Sequence, residues 1–226
     1  MRVAIEASTH SPWVSRLLEE CGHDVLVANA RKLRLIYAEG RKTDELDAEK
    51  LARLARIEPK LLAPLKHRGE ASQAHLALIH SREALVGTRT KLVNHVRATV
   101  KSLGYRLPAC SARAFHRRVA EHLPEPLRPA LRPVLETIAS LSAQIREYDA
   151  KLEAVAKEFY PETRLLRQVK GVGPLTALAF ILTIEDPSRF EVSRTVGAYL
   201  GLVPSKDQSG GCATRSSTSP SRETRC

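Results

Sequence analysis

Apolar and polar positions follow two different periods along this chain. Near the N-terminus, Val3-Ala-Ile-Glu-Ala and Asp24-Val-Leu-Val-Ala-Asn29 are short, mostly apolar runs of β type, the pattern of strands covered on both faces. A helical stretch from about Ser11 to Cys21 separates them, and Gly22 stands where a helix C-cap is needed. Strand, helix, strand predicts a parallel α/β unit from Met1 to about Leu65. Further helices are expected over 30–39 and 44–56, with Pro59 and Pro64 closing the unit. Two strands are few for an independent sheet.

Downstream the period lengthens. From about Glu70 to Leu103, Leu78, Leu85 and Leu92 recur at heptad spacing beside Val86, Val93, Val96 and Val100. Pro108, Pro124, Pro126, Pro129 and Pro133 then predict a connecting segment that holds only short helices. From Leu131 the series Leu131, Val134, Ile138, Leu141, Ile145, Tyr148, Leu152, Val155, Phe159 alternates steps of three and four, an a/d coiled-coil pattern. The two long helices either pack on each other as an antiparallel hairpin or form a seam between chains. The pattern allows both.

The chain has 226 residues, 43% of them hydrophobic, and a formal net charge of +11. That length and composition suit one or two globular domains with a real core. The longest apolar run, Leu175–Ile184, falls well short of the ~20 residues that span a bilayer, and no basic segment followed by an apolar stretch opens the chain. A membrane partner is therefore not expected, and a cytoplasmic location is. Cys21, Cys110, Cys212 and Cys226 show no zinc or disulfide spacing, which fits a reducing compartment. The charge surplus points to a polyanion such as nucleic acid.

That surplus is concentrated. Between Arg82 and Arg118 stand Arg82, Arg89, Lys91, Arg97, Lys101, Arg106, Arg113, Arg117 and Arg118, opposed only by Glu83. A solvated helix face usually mixes its signs; here the members away from the apolar stripe, among them Arg89, Arg97 and Lys101, would form a ridge able to displace counterions from phosphates. A second signal is Lys170-Gly171-Val-Gly173-Pro174, where an apolar helix enters a Gly-Val-Gly turn and Pro174 opens the next helix. Such a helix-hairpin-helix element offers backbone N–H groups to a phosphate, with Gly171 and Gly173 allowing close approach and Lys170 adding charge. An ordinary glycine-containing connector is the alternative.

The third signal is acidic. Glu6 lies within the first strand, where an unpaired carboxylate is costly, and Asp44 and Asp47 share one face at a helix start. Hard oxygen donors of this kind are what Mg²⁺ takes at phosphodiesters. The competing reading is a capped helix, with Thr43 or Asp44 as cap and the acids at its positive end.

Taken together these residues resemble the DEDD-type transposases of bacterial insertion sequences, the bridge-RNA-guided recombinases. The matching segments are Val3-Ala-Ile-Glu6-Ala, Gly22-His-Asp-Val, Asn29-Ala-Arg-Lys and Lys42-Thr-Asp44-Glu-Leu-Asp47-Ala. Toward the C-terminus they are Gly171-Val-Gly173-Pro-Leu-Thr-Ala and Phe190 through Gly197-Ala-Tyr199-Leu-Gly201-Leu-Val-Pro204 to Ser209-Gly-Gly211. The resemblance implies an α/β plus α architecture: a partial RNase H-like, RuvC-like domain at 1–65, a coiled-coil region at 66–160 and a helix-hairpin-helix transposase domain at 161–211. It implies Glu6, Asp44 and Asp47 as the second, third and fourth acids on Mg²⁺, and DNA and a guide RNA as partners of a homo-oligomer. A family serine would attack a DNA phosphate to form a covalent phosphoserine.

Two departures shape the expectation for this chain. The family's first acid belongs to a strand earlier than Glu6, so the N-terminus is expected to be truncated. After Gly211 the residues 212–226 are polar and aperiodic. One choice of codons for Ala213–Ser221, read one frame over, gives Asp-Pro-Gln-Leu-His-Ile-Thr-Lys, a family-like continuation. A frameshifted tail follows, in which Ser216, Ser217, Ser219 and Ser221 are accidents of frame and none is the nucleophile. The chain is thus expected to be an inactive transposase fragment, or alternatively a non-catalytic nucleic-acid-binding protein.

Overall fold

The computed structural model of the chain describes residues 1–29 and 43–202, together with the backbone of 206–207 and 214–215. The helix expected over 30–39 and the serines of the tail lie outside the described residues. The chain divides into two compact units, Met1–Ala74 and His75–Cys226.

In the first unit, β1 (Arg2–Glu6) pairs in parallel with β2 (Asp24–Ala28), Arg2 opposite Asp24 and Glu6 opposite Ala28. The crossover helix α1 (Ser11–Glu20) starts on Pro12 in its first turn, where a missing N–H costs nothing. It ends as the sequence predicts. Gly22 takes φ +79°, its N–H meets the Glu19 carbonyl at 2.9 Å and the His23 N–H meets that of Leu18 at 3.0 Å, the paired bonds of a Schellman C-cap. At the other end, the buried Ser11 Oγ donates to the Ser8 carbonyl (2.9 Å) and lies 2.8 Å from His67 Nε2. Helix α2 (Asp44–Ile57) lays Leu51, Leu54 and Ala55 against Ala4, Leu26 and Ala28, and Leu62 completes this small core. One further antiparallel bridge, Val27 to Leu65, borders β2. The mostly apolar strands predict parallel pairing, and parallel pairing is observed.

Helix α3 (Glu70–Ser102) leads into the second unit, followed by α4 (Phe115–Ala120), α5 (Arg128–Phe159), α6 (Thr163–Leu166), α7 (Pro174–Ile184) and α8 (Ser193–Tyr199). A short antiparallel pair, β3 (Lys206–Asp207) and β4 (Thr214–Arg215), comes last. Pro129 and Pro133 do not delay α5 as the proline count suggests. Pro129 sits in its opening turn, and Pro133 forfeits one early backbone bond while Leu131 and Leu135 on either side are buried, so burial offsets a loss confined to the helix start.

Helices α3 and α5 form the antiparallel hairpin. Arg82 Nε reaches Asp149 Oδ1 at 2.5 Å, Arg89 Nη1 reaches Ser142 Oγ at 3.4 Å, and His75 Nδ1 lies 2.9 Å from Tyr160 Oη. From Arg82 to Arg89 is one heptad forward, and from Asp149 to Ser142 is one heptad back. The buried stripe of α5 differs from the strict a/d series. Leu131, Ile138, Ile145 and Leu152 are buried as expected, but Val134, Leu141, Tyr148 and Val155 are half-buried and Phe159 is exposed. Leu135, Ser142 and Ala156 are buried in their place. The cause is a third layer: α4 covers one end of the pair and α7 the other, so the apolar face is wider than a two-helix seam requires.

Two cores result. One gathers Val93, Val96, Val100, Phe115, Val119, Leu123, Leu131, Leu135 and Ile138; the other gathers Ile79, Leu152, Ala156, Leu178 and Leu182. Because Leu178 and Leu182 of α7 pack on α5 and α3, the coiled-coil region and the Gly-Val-Gly region form one compact unit.

Candidate nucleic-acid interface

The basic ridge is only partly a surface feature. Arg82, whose side chain is 20% exposed, is turned into the hairpin and held by Asp149 of α5, a counter-charge that adjacency in sequence does not show. Arg89 is half-buried, its Nε has no hydrogen-bond partner among the described residues, and its sole recorded bond is the long one to Ser142. Burial, with Arg113 and Arg82 nearby, lowers the Arg89 guanidinium from its ordinary value, partly offset by Asp149. Arg97 is exposed yet engaged: its guanidinium stands 5.3 Å from the Phe115 ring centroid, and Nη2 donates to the Cys110 carbonyl at 3.5 Å. Lys91, Lys101, Arg106, Arg113, Arg117 and Arg118 are exposed and supply the solvent-facing positive charge.

The Gly-Val-Gly turn has the geometry of a backbone donor site in part. Gly171 takes φ +92°, Gly173 is the N-cap of α7, and a Cβ at either position would meet nothing within 4 Å. Both glycines therefore face open space. The first turn bond runs from the Ala177 N–H to the Gly173 carbonyl (3.0 Å), so the amides of Leu175 and Thr176 ahead of it have no helical acceptor. The helix entering the turn is shorter than expected: α6 is a single turn, and Leu165 within it and Val169 after it are exposed. Lys170 is exposed at the turn.

The acids are placed differently from one another. Glu6 is the exposed last residue of β1, so the burial cost expected for a carboxylate inside a strand does not arise. Asp44 is exposed and Asp47 half-buried in the first turn of α2, where Thr43 Oγ1 accepts from the Leu46 N–H at 3.4 Å as N-cap. Three carboxylates have the right donor chemistry for Mg²⁺. Yet among the described residues no group of three His, Cys, Asp or Glu side chains converges to hold a metal ion, so these residues do not by themselves fit one.

Two family models match the chain in sequence order. Residues 1–104 match the IS110-type DEDD transposase model, described as "Transposase", and residues 163–225 match "Transposase IS116/IS110/IS902 family". The chain carries transposase domains of the IS110/IS116 family. The second match runs across the polar tail. The relatives agree. The chain is 30% identical over 217 residues to the "Probable family 20 transposase" of Pseudomonas aeruginosa, 92% of this chain and 63% of that one. It is 29% identical over 218 residues to the "Transposase for insertion sequence element IS1328" of Yersinia enterocolitica, 94% and 63%. With the "Transposase for insertion sequence element IS1111A" of Coxiella burnetii it shares 29% over 181 residues, 77% and 49%. The chain thus spans about half to just under two thirds of the length of these relatives. Among its described residues no helix is long and apolar enough to cross a membrane.

Proposed function

We propose that the chain acts in DNA transposition by an insertion sequence of the IS110 type, with its helical unit holding the nucleic-acid backbone. The observation that carries this reading is the pair of family matches in the same order, one over the acids and one over the Gly-Val-Gly turn. Lys170, Gly171 and Gly173 would meet phosphates through backbone N–H groups and one mobile charge, and Arg97, Lys101 and Lys91 would do so from α3. Arg89 contributes from the hairpin rather than from its surface. DNA is the proposed substrate, a guide RNA the proposed second partner, and a homo-oligomer the proposed working form.

Glu6, Asp44 and Asp47 are the proposed family acids. These carboxylates would provide part of the oxygen donors for a Mg²⁺ ion, which would supply charge neutralisation at a phosphodiester. A nucleophilic serine is assigned to no residue of this chain.

The test is a binding and cleavage assay on duplex DNA carrying the element's ends, with and without Mg²⁺. Binding that falls steeply with salt is expected. Metal-dependent strand cleavage lost in Asp44→Ala and Asp47→Ala supports an enzyme. Binding without cleavage, unchanged by those substitutions, supports instead a non-catalytic nucleic-acid-binding protein. An oligonucleotide affinity indifferent to salt would sink both.

A further inference from the structure

Between the two cores of the helical unit lies a mixed waist, in which polar side chains flank the buried Ile145. Between Ile79 with Leu152 on one side and Val93 with Ile138 on the other, the hairpin carries Arg82, Arg89, Ser142, Arg146 and Asp149. The α3–α4 connection brings Arg113 close enough to repel Arg89, and α4 brings His116 beside Arg146. Arg82, Arg113 and Asp149 thus surround Arg89, while Arg146 stays exposed. Asp149 is committed to Arg82, and among the described residues no carboxylate pairs with Arg89, Arg113 or Arg146. Two buried side-chain nitrogens have no partner among the described residues, Arg89 Nε in the waist and His116 Nδ1 on α4.

Such an arrangement is poor as a fold device. A half-buried guanidinium with one long hydrogen bond and like-charged neighbours is less stabilising than a well-packed methionine would be. Its excess positive charge would be matched by an anion. A guanidinium fork matches the oxygens of a phosphate, whereas the Ser142 hydroxyl is already committed, donating to the Ile138 carbonyl at 2.8 Å and accepting from Arg89. We propose that this waist receives a phosphodiester group of a nucleic-acid strand, bound by Arg89 and Arg113. The site differs from the exposed lysines of α3, which meet phosphates only as mobile surface charges. It rests on the reading that the helical unit holds nucleic acid.

The experiment uses the full chain and two probes of the same backbone chemistry, a duplex DNA and a single-stranded RNA oligonucleotide, with Arg89→Met, Arg113→Gln and Lys170→Ala compared. Without nucleic acid, Arg89→Met is expected to melt at or above the parent, since the under-paired charge is gone. With either probe, Arg89→Met and Arg113→Gln are each expected to bind roughly tenfold more weakly and to lose about one unit of the log–log salt slope. Arg113 is exposed, so its replacement leaves packing untouched and keeps the test valid if Arg89→Met folds poorly. Affinity unchanged in Arg113→Gln overturns the proposal, as does an Arg89→Met chain that melts lower and binds like the parent. If Lys170→Ala alone weakens binding, the waist site falls while the nucleic-acid reading stands; if the parent chain binds neither probe at low salt, both fall.

Discussion

Among the described residues, nine buried side chains close one core of the helical unit and five a second, whereas the α/β unit closes on three, two of them alanines. The contrast follows from how each element satisfies its backbone. A helix pairs its N–H and C=O groups internally and has only to cover one face, which α3 and α5 do for each other while α4 and α7 cover the flanks. Parallel strands pair only with neighbours, and among the described residues β1 has a single strand neighbour, β2. The lesson is that a long amphipathic hairpin carries its own stability, while a two-stranded parallel sheet depends on whatever covers it.

The comparison is sharpest when broken from the strong side. Phe115→Ala removes a fully buried ring on which α3, α4 and α5 meet; a loss of about 3–5 kcal/mol is expected. A denaturant titration of the full chain should show it as a lower midpoint. An unchanged midpoint would mean the helical core is not the main source of stability. Leu62→Ala empties the one large, fully buried side chain of the α/β core. The expected cost is about 2–3 kcal/mol, at the low end because so little surrounds it. Amide exchange should speed up across β1 and β2 and not in α5, and an equal response in α5 would show that the two units unfold as one.

Smaller effects separate the units more finely. Gly22→Ala forces a Cβ into φ +79° and should cost about 1 kcal/mol, read as a lower thermal midpoint without any change in the hairpin's amide protection. Acidification is expected to act least. His67 is held below its ordinary 6.5 by burial and then by Arg16, and His116 by burial and then by Arg117 and Arg146. Their folded values are depressed, so the unfolded chain takes up protons first. Stability from these groups is intact above about 6.5 and declines as pH falls below it. Replacing His67 by Gln should flatten that decline in the α/β unit alone, as followed by amide exchange at successive pH values.

Much of this fold was readable in advance because it depends on local physics. Val3–Ile5 and Val25–Val27 are apolar without alternation, which marks strands covered on both faces; Gly22 marks a helix end; the valines and leucines of α3 mark its buried face. Two features were not readable. Whether α5 meets α3 or another chain depends on long-range pairing, and the Arg82–Asp149 ion pair joins residues far apart in sequence. The shift of the stripe from Val134 and Leu141 to Leu135 and Ser142 depends on where α4 and α7 settle. At the Gly-Val-Gly turn, the need for glycine at 171 was legible from spacing, since its φ of +92° favours that residue, whereas Gly173 takes φ −83° as the N-cap of α7. Arg89 was legible as a charge but not as a half-buried one, and Asp44 beside Thr43 reads equally as a metal ligand and as part of a capped first turn.

The opposed heptads of the hairpin also limit how its length can change. Inserting one residue into α3 would rotate everything beyond it by about 100°, carrying Arg89 off the seam while Ser142 stayed. A matched addition of seven residues to both arms would leave every pairing in place and merely move the loop outward. Across related chains this segment should therefore grow or shrink in coordinated sevens, with the arginine waist keeping its distance from the α7 end while the far tip wanders.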